Sequence, residues 1–560
     1  MPVTAGPPCA IVLARSGAHA KRAENNQVSS LKRLCGAFLF GFILAPAYAA
    51  GNFDGHSWWS IVTALADDAN EGRDTGSPGE QRAQSYVVER LEQLGVSPAG
   101  VSGYYQVVPL RIRTLDESDS SLTLIGAAQP RTLTLGEDAI LFQGAPLARE
   151  LEAELVFVGY GLDIPDRHYS DLADVDLHGK VAVYIAGSPA DVPSALSAHV
   201  QSSRERWRAL RAAGAVGVIR IFNPAAMDLP WSRIASSRKF PAMELTGPEF
   251  EDDAGMQLAG NVNPEHAQVW FEKSPHTFAE LVALAKDRKP LPHFPLGLRI
   301  RSKTHPSSHL LNSRNIVAQI SGTDPALRTS YVVLSAHIDH LGIGEPINGD
   351  KIYNGAMDNG SGSALLLDIA TDLKHRNIRP RRSILFVWVT GEEKGLLGSR
   401  YFASHPTVPA GSIVADINTD MFLPIIPLKI LRVYGLEESD LGARLSPIAA
   451  QFGLKLQPDP KPLRNVFIRS DQYNFILQGV PSLMIDVGAQ LGSPEDKALD
   501  DWRTQRYHAP SDDTNQPVNL ATAGTYESVV ERLTLQVAND PHAPRWKTDS
   551  FFRRFAKSSP

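Results

Sequence analysis

Apolar residues recur at helical spacing in SWWSIVTALADDAN (57–70) and again in EQRAQSYVVERLEQLGV (80–96), so residues 56–98 are expected to be helical up to Gly95. From about residue 110 to 300 the texture changes. Short apolar runs of strand type follow one another: SLTLI, ELVFVGYGL, GKVAVYIAG and GVIRIF, with one helix, RERWRALRAAGA, among them. The stretch 286–309 is rich in proline and basic residues and reads as the exit from this module. After Asn312 strands and helices alternate. The strands are NIVAQIS, SYVVLSA, SILFVWVT, SIVADIN and PSLMIDV; the helices are SALLLDIATDLKH, LLGSRYFASH, DLGARLSPIAAQFG and TYESVVERLTLQVA. Uniformly apolar strands alternating with helices predict an α/β fold, a mostly parallel sheet with helices on both faces, interrupted by a β-rich inserted domain.

Length supports that division, since 560 residues exceed one ordinary core. The expected boundaries are 52–109 for the helical start of the larger domain, 110–300 for the insert, 301–540 for the remainder and 541–560 for a partly ordered tail. The first 49 residues differ from all of this. Lys32 and Arg33 precede the apolar run LCGAFLFGFIL, too short to span a bilayer, and Ala47-Tyr48-Ala49 follows, the pattern of a secretory signal cleaved after Ala49. The protein is therefore expected to be exported, periplasmic or secreted. Both cysteines, Cys9 and Cys35, lie in this segment. The segment also carries five Lys/Arg against one Glu, so the rest of the chain, from a total of −6, is near −10. An acidic chain of this kind excludes nucleic acid as a partner, and no other stretch suggests a membrane span.

In open α/β sheets, ligands bind beyond the carboxyl ends of the strands. At those ends stand His337-Ile-Asp339, Gly391-Glu392-Glu393 and Thr419-Asp420; the loop GAMDNGSGS adds Asp358 and YHAPSDDT adds His508. Singly, each has an ordinary explanation: a structural histidine, a solvated turn, an N-cap aspartate. Two adjacent carboxylates at a buried strand end, Glu392 and Glu393, disfavour each other's ionisation unless something positive lies near. Mixed histidine and carboxylate donors suit Zn²⁺ at a catalytic site.

The motifs AHIDHLG, NGAMDNGSG, TGEEKGLLGS, NTDM, RSDQYNF and YHAPSDDT, in this order across about residues 312–535, resemble the co-catalytic di-zinc exopeptidases, the family of aminopeptidase Y, aminopeptidase S, bacterial leucyl aminopeptidase and glutamate carboxypeptidase. VFVGYGL, YSDLADVDLHGKVAVYIAG and RAAGAVGVI resemble the protease-associated domain that many members insert. The resemblance implies two zinc ions per chain. Asp358 would bridge them, His337 and Asp420 completing one site and Glu393 and His508 the other. Glu392 would be the general base, Asp339 would hold the imidazole of His337, and Tyr507 would hydrogen-bond the oxyanion. It also implies a cis Asp358–Asn359 peptide. YHAPSDDT carries one Asp more than the family's shorter form. His340 reads as a histidine behind the ligands or at the surface, and Ser470 and Asp471 as pocket wall.

The implied activity is an aminopeptidase acting on peptides with a free N-terminus. A carboxypeptidase, with Arg464 and Arg469 as candidates for a substrate carboxylate, or a one-zinc glutaminyl cyclase would use the same scaffold. A metal-free binding module would have lost ligands, and none is lost.

Overall fold

A computed structural model of the chain describes residues 51, 53–126 and 129–556. The expected export signal lies outside the described residues. Among them, no helix is long and apolar enough to cross a membrane.

The larger of two main sheets has ten strands. Its centre is Ser383–Val389, Tyr331–His337, Ile413–Asn418 and Ser482–Gly488, side by side and parallel. The expected mostly parallel sheet is this centre. On one side follow the antiparallel strands Pro306–Ile320, Tyr105–Leu115 and Ala242–Leu245; on the other, Ile430–Tyr434 runs antiparallel to Ser482–Gly488 and carries Lys455–Gln457 at its edge.

Alternate side chains of the central strands go to opposite faces. Val333, Leu385, Val387 and Val389 pack with Phe402 and Phe475, from the helices Leu397–Ser404 and Gln472–Leu477. On the other face lies Gly362–His375, and the Trp388 indole donates to the Ser363 carbonyl there at 3.0 Å. With both faces covered, every residue of Ser383–Val389 is buried, which explains its unbroken apolar run.

The second sheet has eight strands drawn from residues 121–303 and encloses its own core around Phe157, Val183, Ile219 and Trp270. The segment 286–309, read from composition as an exit, contains the whole strand His293–Lys303, where buried and exposed positions alternate without a break, and the start of Pro306–Ile320. Phe294, Leu296, Leu298, Ile300 and Ser302 are the buried set, and the proline and basic residues at the positions between them masked this period-two pattern. Tyr105–Leu115 and Ala242–Leu245 hydrogen-bond into the larger sheet, so the chain passes between the two sheets more than once. The helix Pro494–Arg506, capped by Ser493, had no counterpart in the sequence reading, because SPEDKALDDWRTQR is too polar for a clear apolar stripe. The tail packs as well: Phe552 is fully buried in a cluster with Tyr434, Phe467 and Tyr473.

Candidate active site

The carboxyl ends of three adjacent parallel strands bring His337, the Glu392-Glu393 pair and Asp420 to one edge of the sheet. Asp358 enters from the loop before Gly362–His375, and the Asp358–Asn359 peptide is cis. His508 arrives from the turn after Pro494–Arg506 with a left-handed backbone, φ 55°.

Asp358 sits between two poles. Its Oδ1 faces His337 Nε2 at 3.4 Å, and its Oδ2 faces His508 Nε2 at 3.4 Å. His337 Nε2 is also 3.2 Å from Asp420 Oδ1, and His508 Nε2 is 3.2 Å from Glu393 Oε2. Donors about 2.0–2.1 Å from a tetrahedral zinc stand roughly 3.3 Å from one another, so these spacings fit ligands around a shared ion. Each pole offers one imidazole nitrogen and two carboxylates, which is zinc chemistry. His340 is fully buried, behind the candidate ligands and not at the surface: its Nδ1 is 2.6 Å from Glu393 Oε1. That is a hydrogen-bond length, shorter than the edge between two ligands of one ion. His340 also forms a possible metal-holding group with Asp358 and Glu393; at this hydrogen-bond length it is placed to orient Glu393, with His508 the candidate nitrogen donor of that pole.

The pair that posed the question in the sequence divides. Glu393 points between His340 and His508; burial would raise its pKa, yet the two imidazoles hold it well below the ordinary value. Glu392 faces the cleft, 3.9 Å from His337 Nε2, and burial, with Asp420 and Glu393 beside it, pushes its carboxyl well above the ordinary value. One glutamate is kept ionised and the other is primed to take a proton.

Asp339 does not hold His337 with its carboxylate, which lies 3.9 Å from Nδ1. Its main-chain carbonyl does so, at 3.1 Å. The carboxylate instead accepts the Glu392 N–H at 3.1 Å and the Thr75 hydroxyl at 2.8 Å, so the side chain of Asp339 positions Glu392 while its carbonyl holds His337. Tyr507 packs its ring on His508, with centroids 3.9 Å apart, and its hydroxyl receives a hydrogen bond from Arg469 Nη2 at 3.2 Å. Arg469 is gripped in turn by Asp228 of the strand-rich region at 2.6 Å. Ser470 lines the cleft; Asp471 lies behind it, its carboxyl pushed up by burial to about 7.

Three residues of the site were not legible beforehand. Asp512, the first of the two aspartates in YHAPSDDT, is fully buried and accepts the N–H groups of Met357 and Asp358, both at 3.0 Å. Arg73 donates to the carbonyls of Leu65, Ile338, Asn354 and Gly355, and burial pushes its guanidinium down to about 10. Glu80, pushed up by burial to about 8, accepts from Thr390 and from Ser313. Only the doubled aspartate left a mark in the sequence.

Residues 315–534 match the model of peptidase family M28. The match covers under half of the chain and contains every candidate metal ligand and Glu392. Among similar curated proteins are the probable leucine aminopeptidase 2 of Aspergillus oryzae, 31% identical over 35% of this chain and 39% of that one, and carboxypeptidase Q of Pongo abelii, 30% identical over 23% and 25%. The chain thus spans well under half the length of these relatives. The structure of an aminopeptidase from Aneurinibacillus sp. strain AM-1 superposes with a TM-score of 0.53 over 88% of this chain and 96% of that one, at 17% identity, a likeness of fold.

Proposed function

We propose that the protein is an exported zinc aminopeptidase that removes N-terminal residues from peptides with two zinc ions per chain. The observation that carries this reading is the placement of Asp358, each of whose oxygens meets a different histidine. His337 and Asp420 would hold one ion, Glu393 and His508 the other, and Asp358 both. Zinc bound there supplies Lewis acidity toward water and the scissile carbonyl. The remaining work falls to side chains. Glu392 accepts the proton of the attacking water and delivers it to the leaving amine. Asp339, through the Glu392 N–H, holds that base in place. The Tyr507 hydroxyl, aligned by Arg469, is available to the oxyanion.

The resemblance to carboxypeptidase Q raises a second reading, release of C-terminal residues. One experiment tests both. Aminoacyl-arylamides and N-blocked peptides are assayed with metal content measured on the same sample. The proposal expects about two zinc per chain, hydrolysis of the arylamides only, loss of activity on chelation and recovery with zinc. Turnover of N-blocked peptides alone would select the second reading, and full activity in metal-free protein would overturn both.

A further inference from the structure

The cleft that opens at Asp358, Glu392 and Asp420 continues over the antiparallel pair Ile430–Tyr434 and Ser482–Gly488. Arg432 stands opposite Asp486 in this pair, and Tyr434 opposite Met484. Leu431, Val433, Ile485 and Val487 are turned into the core, none more than 1% exposed. The alternate set, Arg432, Tyr434, Met484 and Asp486, therefore lines the cleft. Arg503, from the helix Pro494–Arg506, completes this wall.

Its charges are unevenly matched. Arg432 and Asp486 are 3% and 2% exposed. A single oxygen of Asp486 receives both Arg432 Nη1, at 3.5 Å, and Arg503 Nη2, at 3.3 Å. Arg432 Nε and Nη2 and Arg503 Nη1 are buried without a hydrogen bond of ordinary geometry, although the Tyr434 hydroxyl stands beside Arg432. The other cations of the cleft are engaged: Lys461 with Asp496 and Asp500, Arg464 with Asp500, Arg469 with Asp228. The remaining carboxylate, Asp459, accepts the Lys461 N–H with one oxygen and leaves the other free, as Asp486 does. Two planar guanidiniums with donors to spare, in the cleft that holds the candidate metal ligands, form a fork that matches a carboxylate. An apolar side chain entering here would leave those donors unpaired, and a site built to hydrogen-bond its substrate rejects a substrate that cannot.

We infer that the Arg432–Arg503 end of the cleft is a subsite for a carboxylate of the substrate. This rests on the exopeptidase reading above. For an aminopeptidase the carboxylate is the side chain of an N-terminal Glu or Asp; for a carboxypeptidase it is the terminal carboxylate of a short peptide. Arg464 and Arg469, the candidates for that role from sequence, are committed to Asp500 and Asp228 instead.

The zinc-loaded full chain is tested with Glu-, Asp-, Leu- and Lys-arylamides, and with N-acetyl dipeptides as free acids and as amides. Glu-arylamide should exceed Leu-arylamide in kcat/KM by about tenfold or more. The Glu-to-Leu ratio should fall by a similar factor in Arg503→Gln and in Arg432→Gln. Because Arg432→Gln strips Asp486 of a partner and can impair folding, glutarate binding to the wild-type chain and to Arg503→Gln is measured by calorimetry as well; binding to the first and its loss in the second support the subsite independently of turnover. Hydrolysis restricted to the free-acid dipeptides, lost in their amides, also supports the subsite and moves the source of the carboxylate to the C-terminus. A preference for Leu- or Lys-arylamide overturns the subsite and leaves the exopeptidase reading standing. If no substrate is cleaved with zinc bound, the exopeptidase reading fails, and glutarate binding that Arg503→Gln leaves unchanged would then overturn the subsite too.

Discussion

Glu392 and Glu393 are neighbours in sequence with different surroundings. Glu393 lies between two imidazoles, Glu392 beside the cleft with Asp420 near it. Their substitutions should differ in kind. Glu392→Gln keeps shape and removes the proton acceptor; it should retain zinc and lose on the order of 10²–10⁴ in kcat. Glu393→Gln removes a charged ligand, should lower the zinc content, and should recover partly in excess zinc. If the zinc contents come out the other way round, the two roles are exchanged. Asp512 acts one step further back, since it holds the N–H of Asp358. Asp512→Ala should weaken zinc binding roughly 10–100-fold, the usual cost of removing a residue that orients a ligand. Competition with a chelator measures this directly, and unchanged affinity would assign Asp512 to the fold alone.

The elements of the site are tied together by Arg73. It follows the helix His56–Leu65, in a segment of 3₁₀ turns that ends at a left-handed residue, φ 52° at Arg73 itself. From there its guanidinium reaches the end of that helix, the loop after Tyr331–His337 and the loop before Asp358. Removing it leaves the carbonyls of Ile338 and Asn354 without a donor, while Leu65 keeps Asn70 Nδ2 and Gly355 keeps the Gly360 N–H. Arg73→Met should cost about 3 kcal/mol or more, because each orphaned buried acceptor carries its own desolvation penalty. Arg73→Lys should recover only part, since an ammonium cannot reproduce the planar fork. Urea unfolding checks both, and a loss under ~0.5 kcal/mol in Arg73→Met would remove Arg73 from the frame of the site.

At the scale of the molecule, the strand-rich region, the large sheet and the tail meet at His199. It lies in the helix Ser194–Gln201, its Nδ1 is 2.7 Å from the Tyr473 hydroxyl, and its ring packs among Phe551, Phe552 and Phe555. Burial pushes its pKa from 6.5 down to about 4, and the cations Arg208, Arg554 and Arg204 add to the shift. Between those values the unfolded chain binds a proton that the folded chain does not, so stability must fall as pH drops through that window. The loss from this group is complete near pH 4 and reaches about 3 kcal/mol. His199→Phe should flatten the stability profile between pH 6.5 and 4 relative to wild type. Parallel profiles for the two proteins would show that the ring is protonated as readily folded as unfolded.

Much of the candidate site could be read from the chain because its candidate ligands sit at the ends of apolar strands, where a change from hydrophobic to charged residues is local and visible. His337, Glu392, Glu393 and Asp420 are such positions, and the alternation of strands and helices around them determines the α/β architecture. The same logic failed where the signal was not local. His293–Lys303 hid a period-two strand beneath proline and basic composition. The role of Asp339 depends on which of its two oxygen-bearing groups faces His337, a matter of backbone direction. Arg73, Glu80 and Asp512 act on residues far away in sequence, and no spacing rule links them to their partners. The unpaired donors of Arg432 and Arg503 exist only because Ile430–Tyr434 pairs with Ser482–Gly488 in one register and a helix closes over them. The sequence by itself determined which side chains could hold metal and move a proton. Only the tertiary structure decided which charges are left unmatched in the cleft, because that depends on every neighbour brought within hydrogen-bond reach.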